Sequence, residues 1–142
     1  MSTTEDAVGR MTKNGTKRSE VEVVTLVDNT RPWTANAERR WHHMKRAKEV
    51  SEARARWYWL ARMEQAPLYE RVIIEATPLQ KNRRWEADVA ACYPTVKAAI
   101  DGLVDAGVLG GDTPAYVHQI IFNAAQVADC EGLRLTITPV EP

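Results

Sequence analysis

The sequence predicts an α/β (α+β) domain in which a small mixed sheet carries a long N-terminal basic helix and a second, shorter helix bearing a lysine among acids. Two patterns carry this expectation. Apolar residues recur at helical spacing beyond residue 36 and again beyond residue 94, and β-branched runs bounded by turn residues alternate with those stretches. The length adds a bound, because 142 residues suffice for one domain with a real core and fall short of two ordinary ones.

Residues 1–19 are polar, carry Gly9 and Gly15 and lack apolar periodicity. They are expected to be a disordered lead-in to a domain over 20–142. The run EVEVVTLV from Glu20 to Val27 is rich in β-branched residues and partly alternates, as a half-buried strand does, and Asp28, Asn29 and Pro32 end it. Beyond Asn36, the residues Trp41, Met44, Ala47, Val50, Trp57, Leu60 and Ala61 keep helical spacing with no Gly or Pro until Pro67. That predicts one long amphipathic helix or two abutting ones. ERVIIEAT, from Glu70 to Thr77, predicts the next strand, with a basic, polar loop from Gln80 to Arg84 at its end. Pro94 suits a first helical turn, and Val96, Ala99, Ile100, Leu103 and Val104 extend that helix to Gly107. Gly110, Gly111 and Pro114 enforce a loop. Tyr116 to Phe122 and the alternation of Leu133, Leu135 and Ile137 predict two further strands, the last closing the domain.

Composition narrows the class. Nineteen Lys and Arg balance nineteen Asp and Glu, so the average charge does not announce a nucleic-acid partner and its distribution has to be read instead. Cys92 and Cys130 lie far apart without a Cys-x-x-Cys spacing, which argues against a zinc site or a disulfide framework and fits a reducing cytoplasm. No apolar run approaches the roughly 20 residues that span a bilayer, and no secretory signal is evident. No membrane association is expected.

The densest chemical signal is RRWEADVAACYPTVKAAIDGLVDAGVLGGD, from Arg83 to Asp112. Glu86 and Asp88 are two apart and share a side if the stretch is extended. Lys97 and Asp101 are one helical turn apart. Asp112 follows the helix after a glycine loop, which can return toward the segment holding Asp88. Carboxylates that converge from separate elements suit a hard cation such as Mg²⁺, and a nearby lysine can stabilise charge on a phosphate. His42, His43 and His118 have no ligand spacing worth pursuing; solvent or DNA contact suits them better.

These residues resemble the RusA-like crossover-junction endonucleases, the Holliday-junction resolvases of phages and prophages. That family carries D-x-D-N, a following K, then D-x-L on the same helix and a closing D-D pair. Lys97, the Asp101-Gly102-Leu103 triplet and Asp112 match the last three elements in order, and YPTVKAAIDGLVDAGVL looks like the actinobacterial-phage branch. Upstream, RPWTANAERRWHHMKRAK from Arg31 to Lys48 is similar to the family's P-x-x-N-x-x-x-R-x-H entry into a basic helix. The first motif departs from the pattern. Asp88 matches its leading aspartate with Ala90 and Ala91 where the second aspartate and the asparagine would fall, or else Glu86 and Asp88 take the two acidic roles. Gly111 stands where the closing pair would have its first acid.

The resemblance implies a Mg²⁺-dependent endodeoxyribonuclease acting on four-way junctions, with Asp88, Lys97 and Asp112 catalytic, Glu86, Asp88 and Asp112 as metal ligands, and Asp101 in support. It also implies a homodimer in the bacterial cytoplasm. Arg39, Arg40, Lys45 and Arg46, joined by Lys81, Arg83 and Arg84, form the expected DNA-backbone surface. Trp41, Trp57, Tyr58 and Trp59 are expected in the core or at a dimer interface. The degraded first motif leaves open a catalytically weakened or inactive branched-DNA-binding protein on the same fold.

Overall fold

A computed structural model describes residues 22–82 and 88–141. The expected disordered segment 1–19 and the loop residues Arg83, Arg84 and Glu86 lie outside the described residues. In chain order the elements are strand β1 (Val24–Asp28), a four-residue helix α1 (Ala35–Glu38), helix α2 (His43–Met63), strand β2 (Val72–Gln80), helix α3 (Tyr93–Asp105) and strands β3 (Val117–Phe122), β4 (Gln126–Val127) and β5 (Gly132–Pro139). The mixed sheet and its helices confirm the α/β class.

The sheet runs β1-β5-β2-β3, with β4 pairing the far end of β2 on the β3 side. β5 is antiparallel to both β1 and β2, so β1 and β2 are parallel with β5 between them, and β2 and β3 are parallel through the α3 crossover. The last strand therefore fills the middle of the sheet, where the sequence suggests that it merely closes the domain. Its apolar side explains the position: Leu133, Leu135 and Ile137 are all fully buried, and a central strand has neighbours on both sides. Alternation sends Leu26, Val72, Ile74, Ala76, Leu133, Leu135 and Ile137 into one cluster with Trp57 and Ala61 of α2 and Val96, Ala99, Ile100 and Leu103 of α3. The opposite face of the sheet carries Thr25, Val27, Glu75, Arg134 and Thr136, all at least partly exposed.

The helical stretch after Asn36 is two helices, not one. Thr34 caps α1 by accepting from the Ala37 amide at 3.1 Å, and the chain leaves helical geometry before His42, whose φ of −64° and ψ of 148° are extended. His42 then caps α2, its Nδ1 accepting from the Met44 amide at 3.2 Å. The apolar periodicity overstated the buried face. Met44 is 69% exposed, and the fully buried stripe of α2 is Ala53, Trp57 and Ala61. Trp41 instead joins Trp33, Ala53, Ala98 and Val50 in a small satellite cluster.

α2 and α3 meet through Gly102. A Cβ there would stand 2.5 Å from the Arg54 carbonyl oxygen and 2.9 Å from the Trp57 Cβ, so only glycine permits this backbone approach. The contact brings α2 against the same stripe of α3 that carries Ala98, and Arg54 seals its far end with two bonds to Asp105. The approach also encloses the Trp57 indole N–H, which finds no partner among the described residues. Leaving a buried donor unpaired costs about 1–3 kcal/mol, so close packing here outweighs a polar penalty.

Gly102→Ala therefore lowers stability although alanine is the better helix former. The overpacking cost of about 1–3 kcal/mol exceeds the propensity gain of about 0.5–1 kcal/mol. In urea titration the midpoint falls while the slope holds; an unchanged or raised midpoint would contradict the close approach.

Candidate functional site

The turn before α3 is built by Asp88. Its Oδ1 accepts from the Ala90 amide at 3.0 Å while its carbonyl accepts from the Ala91 amide at 3.0 Å, an Asx turn that leads the chain into the helix. Cys92 holds the N-cap position without a side-chain bond, and Pro94 sits in the first turn, where a missing N–H is harmless. The Cys92 thiol is buried, which pushes its pKa up to about 11 and keeps it protonated and unreactive.

α3 divides its residues among three faces. Val96, Ala99, Ile100 and Leu103 enter the core, and Thr95, Ala98 and Gly102 face α2 and the segment before it. Lys97 and Asp101 are left on the outer side, where the Lys97 Nζ donates to Asp101 Oδ1 at 2.9 Å. The same ammonium donates to Asp112 Oδ2 at 2.6 Å. Asp112 reaches it because the loop after α3 is pinned at both ends. Gly107 turns the chain with φ of +83°, Val108 and Leu109 are buried, and Gly110 and Gly111 lie against the Tyr116 ring so closely that a Cβ on Gly110 would come within 2.5 Å of it.

This arrangement sets the protonation states. The bonds to Asp112 and then to Asp101 raise the Lys97 pKa, and the Lys97 bond holds the Asp112 carboxyl below its ordinary value. Lys97 and Asp112 are therefore both charged over the physiological range. The sequence-predicted lysine, its supporting acid and the closing aspartate therefore come together.

Asp88 stands apart from them. No hydrogen bond or ion pair joins it to Lys97, Asp101 or Asp112, and it lines a cleft of about 680 Å³ together with Trp33, Asn36, Trp41 and Lys45. Among the described residues no group of three or more His, Cys, Asp or Glu side chains could hold a metal ion. Glu86, the other acid assigned to the metal, is outside the described residues. Asp101 and Asp112 converge on the Lys97 ammonium, which occupies the point where the two carboxylates meet, so Asp112 could hold Mg²⁺ only with waters, substrate phosphates or acids from elsewhere.

The basic residues distribute unevenly. Arg39 and Arg40 are exposed at the α1–α2 junction, and neither forms an ion pair among the described residues. Arg46 is tied to Glu38 at 3.3 Å, and Lys45 lies 4.0 Å from Glu49 and 5.0 Å from the Trp41 ring centroid. Lys81 sits at the end of β2, its amide donating to Glu131. Arg83 and Arg84 are outside the described residues. Lys45 borders the same cleft as Asp88, so the start of α2 and the turn before α3 share one concave surface.

Thr95 is the residue that sequence reasoning missed. Buried inside α3, it accepts from the Trp33 amide and donates to the Trp33 carbonyl, both at 2.9 Å, and so clamps the segment before α1 onto α3. The Ala35 amide, donating to the Ala91 carbonyl at 2.9 Å, completes the attachment. A signal was present: Thr95 lies three residues before Ala98 and seven before Gly102, on the α2-facing stripe, where a polar side chain needs a partner.

In the metal-free protein the Asp112 carboxyl is expected to titrate below its ordinary value near 3.8, and Lys97→Met to return it there, as read by NMR. A folded-state pKa that is depressed stabilises above the unfolded value and loses that contribution as pH falls through the folded one. Because the Asp112 side chain is 40% exposed, the variant costs less than about 1 kcal/mol near neutral pH. An Asp112 titration unmoved by the variant would refute the pairing. In comparison with known proteins, no family model matches this chain and no curated protein matches its sequence.

Proposed function

We propose that this protein is a magnesium-dependent, structure-selective endonuclease that cleaves branched DNA, such as four-way junctions, in recombination or repair. The observation that supports this reading is the Lys97 ammonium held by two carboxylates, one from its own helix and one from a loop fifteen residues on. A phosphodiester hydrolase uses a fixed cation beside carboxylates, and here the cation and one carboxylate stand on a packed helix and the second carboxylate on the loop that follows it.

In this reading Lys97 faces a non-bridging phosphate oxygen and stabilises the charge that grows there as water adds to phosphorus and a P–O ester bond breaks. Its raised pKa keeps it cationic throughout. Asp112 holds Lys97 in place; Asp112, Asp88 and Glu86 are the carboxylates that would hold Mg²⁺, and because Asp88 stands apart from the Lys97 cluster, an ion would have to draw these acids together. Bound Mg²⁺ supplies Lewis-acid polarisation and a water of lowered pKa. Asp101 orients Lys97 from below. Arg39, Arg40, Lys45 and Lys81, with Arg83 and Arg84, contact the DNA backbone and position it without reading sequence. A homodimer with two sites related by a two-fold axis would match the two cuts that a four-way junction requires.

One observation favours a second reading, a protein that binds branched DNA and does not cut it. The Asp88 carboxylate is engaged in its own turn, and Ala90 and Ala91 follow where further ligands would be expected.

With Mg²⁺ and a synthetic four-way junction, the protein is expected to nick the arms near the branch. Asp112→Asn and Lys97→Ala should each reduce cleavage by about 100-fold or more while binding, read by fluorescence anisotropy, stays within about ten-fold. Cleavage no greater than that of Asp112→Asn would end the nuclease proposal, and salt-sensitive junction binding without cleavage would select the second reading.

A further inference from the structure

The cleft beside Asp88 has a construction that phosphate-backbone contact does not explain. Its volume of about 680 Å³ is in the range of small-molecule pockets, and two tryptophans are among the residues that line it. Trp33 is nearly buried, Trp41 is half-buried, and their ring centroids stand 5.7 Å apart at 42°. Thr95 and the Ala91 carbonyl hold the Trp33 segment against α3, so this part of the lining is rigid. Around the rings the lining is polar. The exposed Asn36 carboxamide makes no hydrogen bond among the described residues. Arg56 uses only its Nε, on Asp28 at 3.0 Å, and Lys45 lies over the Trp41 ring with Glu49 beyond it.

Flat aromatic surface, an uncommitted carboxamide and two cations are the chemistry that receives a nucleobase: rings for its face, donor and acceptor for its edge, positive charge for its flanking phosphate. We infer that this cleft takes one nucleotide unstacked from the branch of a DNA junction, its base against Trp41 and its edge at Asn36. The inference rests on the branched-DNA reading proposed above and makes it more specific. Within a duplex every base is stacked on both sides, whereas a pair at a branch point can lose a stacking neighbour across the exchange, so unstacking a base costs less there and a base-receiving cleft converts branching into affinity. Trp41 thereby acquires a role that core packing or an interface would not predict.

The test is a double-mutant cycle between the protein and the DNA, read by anisotropy at low salt. Making the nucleotides at the crossover abasic should weaken wild-type binding about ten-fold, and Trp41→Ala should weaken binding to the intact junction by about the same factor. Combining the two changes should give no further loss, because both remove one contact. Trp41→Phe, which keeps a ring, should restore most of the affinity and shows that the site folds. Asn36→Ala, at an exposed position, should alter the preference among bases at the crossover. Junction binding in which the abasic change and Trp41→Ala act additively, or in which the abasic change has no effect, would overturn the cleft assignment and leave the DNA reading standing. Failure to bind any branched DNA at low salt would overturn both.

Discussion

The close approach of α2 to α3 at Gly102 is the constraint on which the molecule depends. With no side chain at that point, the Arg54 carbonyl and the Trp57 Cβ can lie directly on the α3 backbone. This fixes α3 in rotation. One stripe enters the core, the next faces α2 and Trp33, and the remaining side meets the loop that follows the helix. Lys97 and Asp101 lie on that last side. The Asp101-Gly102-Leu103 triplet is thus three consecutive residues with three separate functions: an ion pair, a helix contact and a core position.

A second constraint acts through polar groups. Thr95, buried on the α2-facing stripe, bonds both backbone groups of Trp33 and so attaches an otherwise irregular segment to a rigid helix. This attachment places Trp33 in the cleft that Asn36, Trp41 and Lys45 also line. The Asx turn at Asp88 closes the same surface from the other side. Lys97, on α3, is not among the residues that line the cleft.

The electrostatics are local. A neutral average charge conceals an exposed basic corner at Arg39 and Arg40, while other cations are paired: Arg46 with Glu38, Arg54 with Asp105, Arg56 with Asp28 and Lys97 with two aspartates. These pairs are at least partly exposed, so they orient side chains more than they stabilise the fold. Their main consequence is that Lys97 and Asp112 remain ionised beside one another.

By itself the sequence determined the α/β class, the strands around Leu26, Ile74 and Ile137, the helix opening at Pro94, whose end falls at Asp105 and not at Gly107, and the helical-turn relation of Lys97 to Asp101, because each depends on periodicity or spacing along a single segment. Tertiary structure decided the rest. The place of β5 between β1 and β2 is a matter of long-range pairing, which no local pattern encodes. The break before His42 depends on caps that override a continuous apolar period, and the turn of Trp41 toward Trp33 depends on a hydrogen bond from Thr95, sixty-two residues away in sequence. The meeting of Asp112 with Lys97 needed a loop pinned by Val108, Leu109 and Tyr116, while the Asp88 carboxylate is engaged in its own turn before α3. Spacing can place residues on one element, but only packing decides which elements face each other.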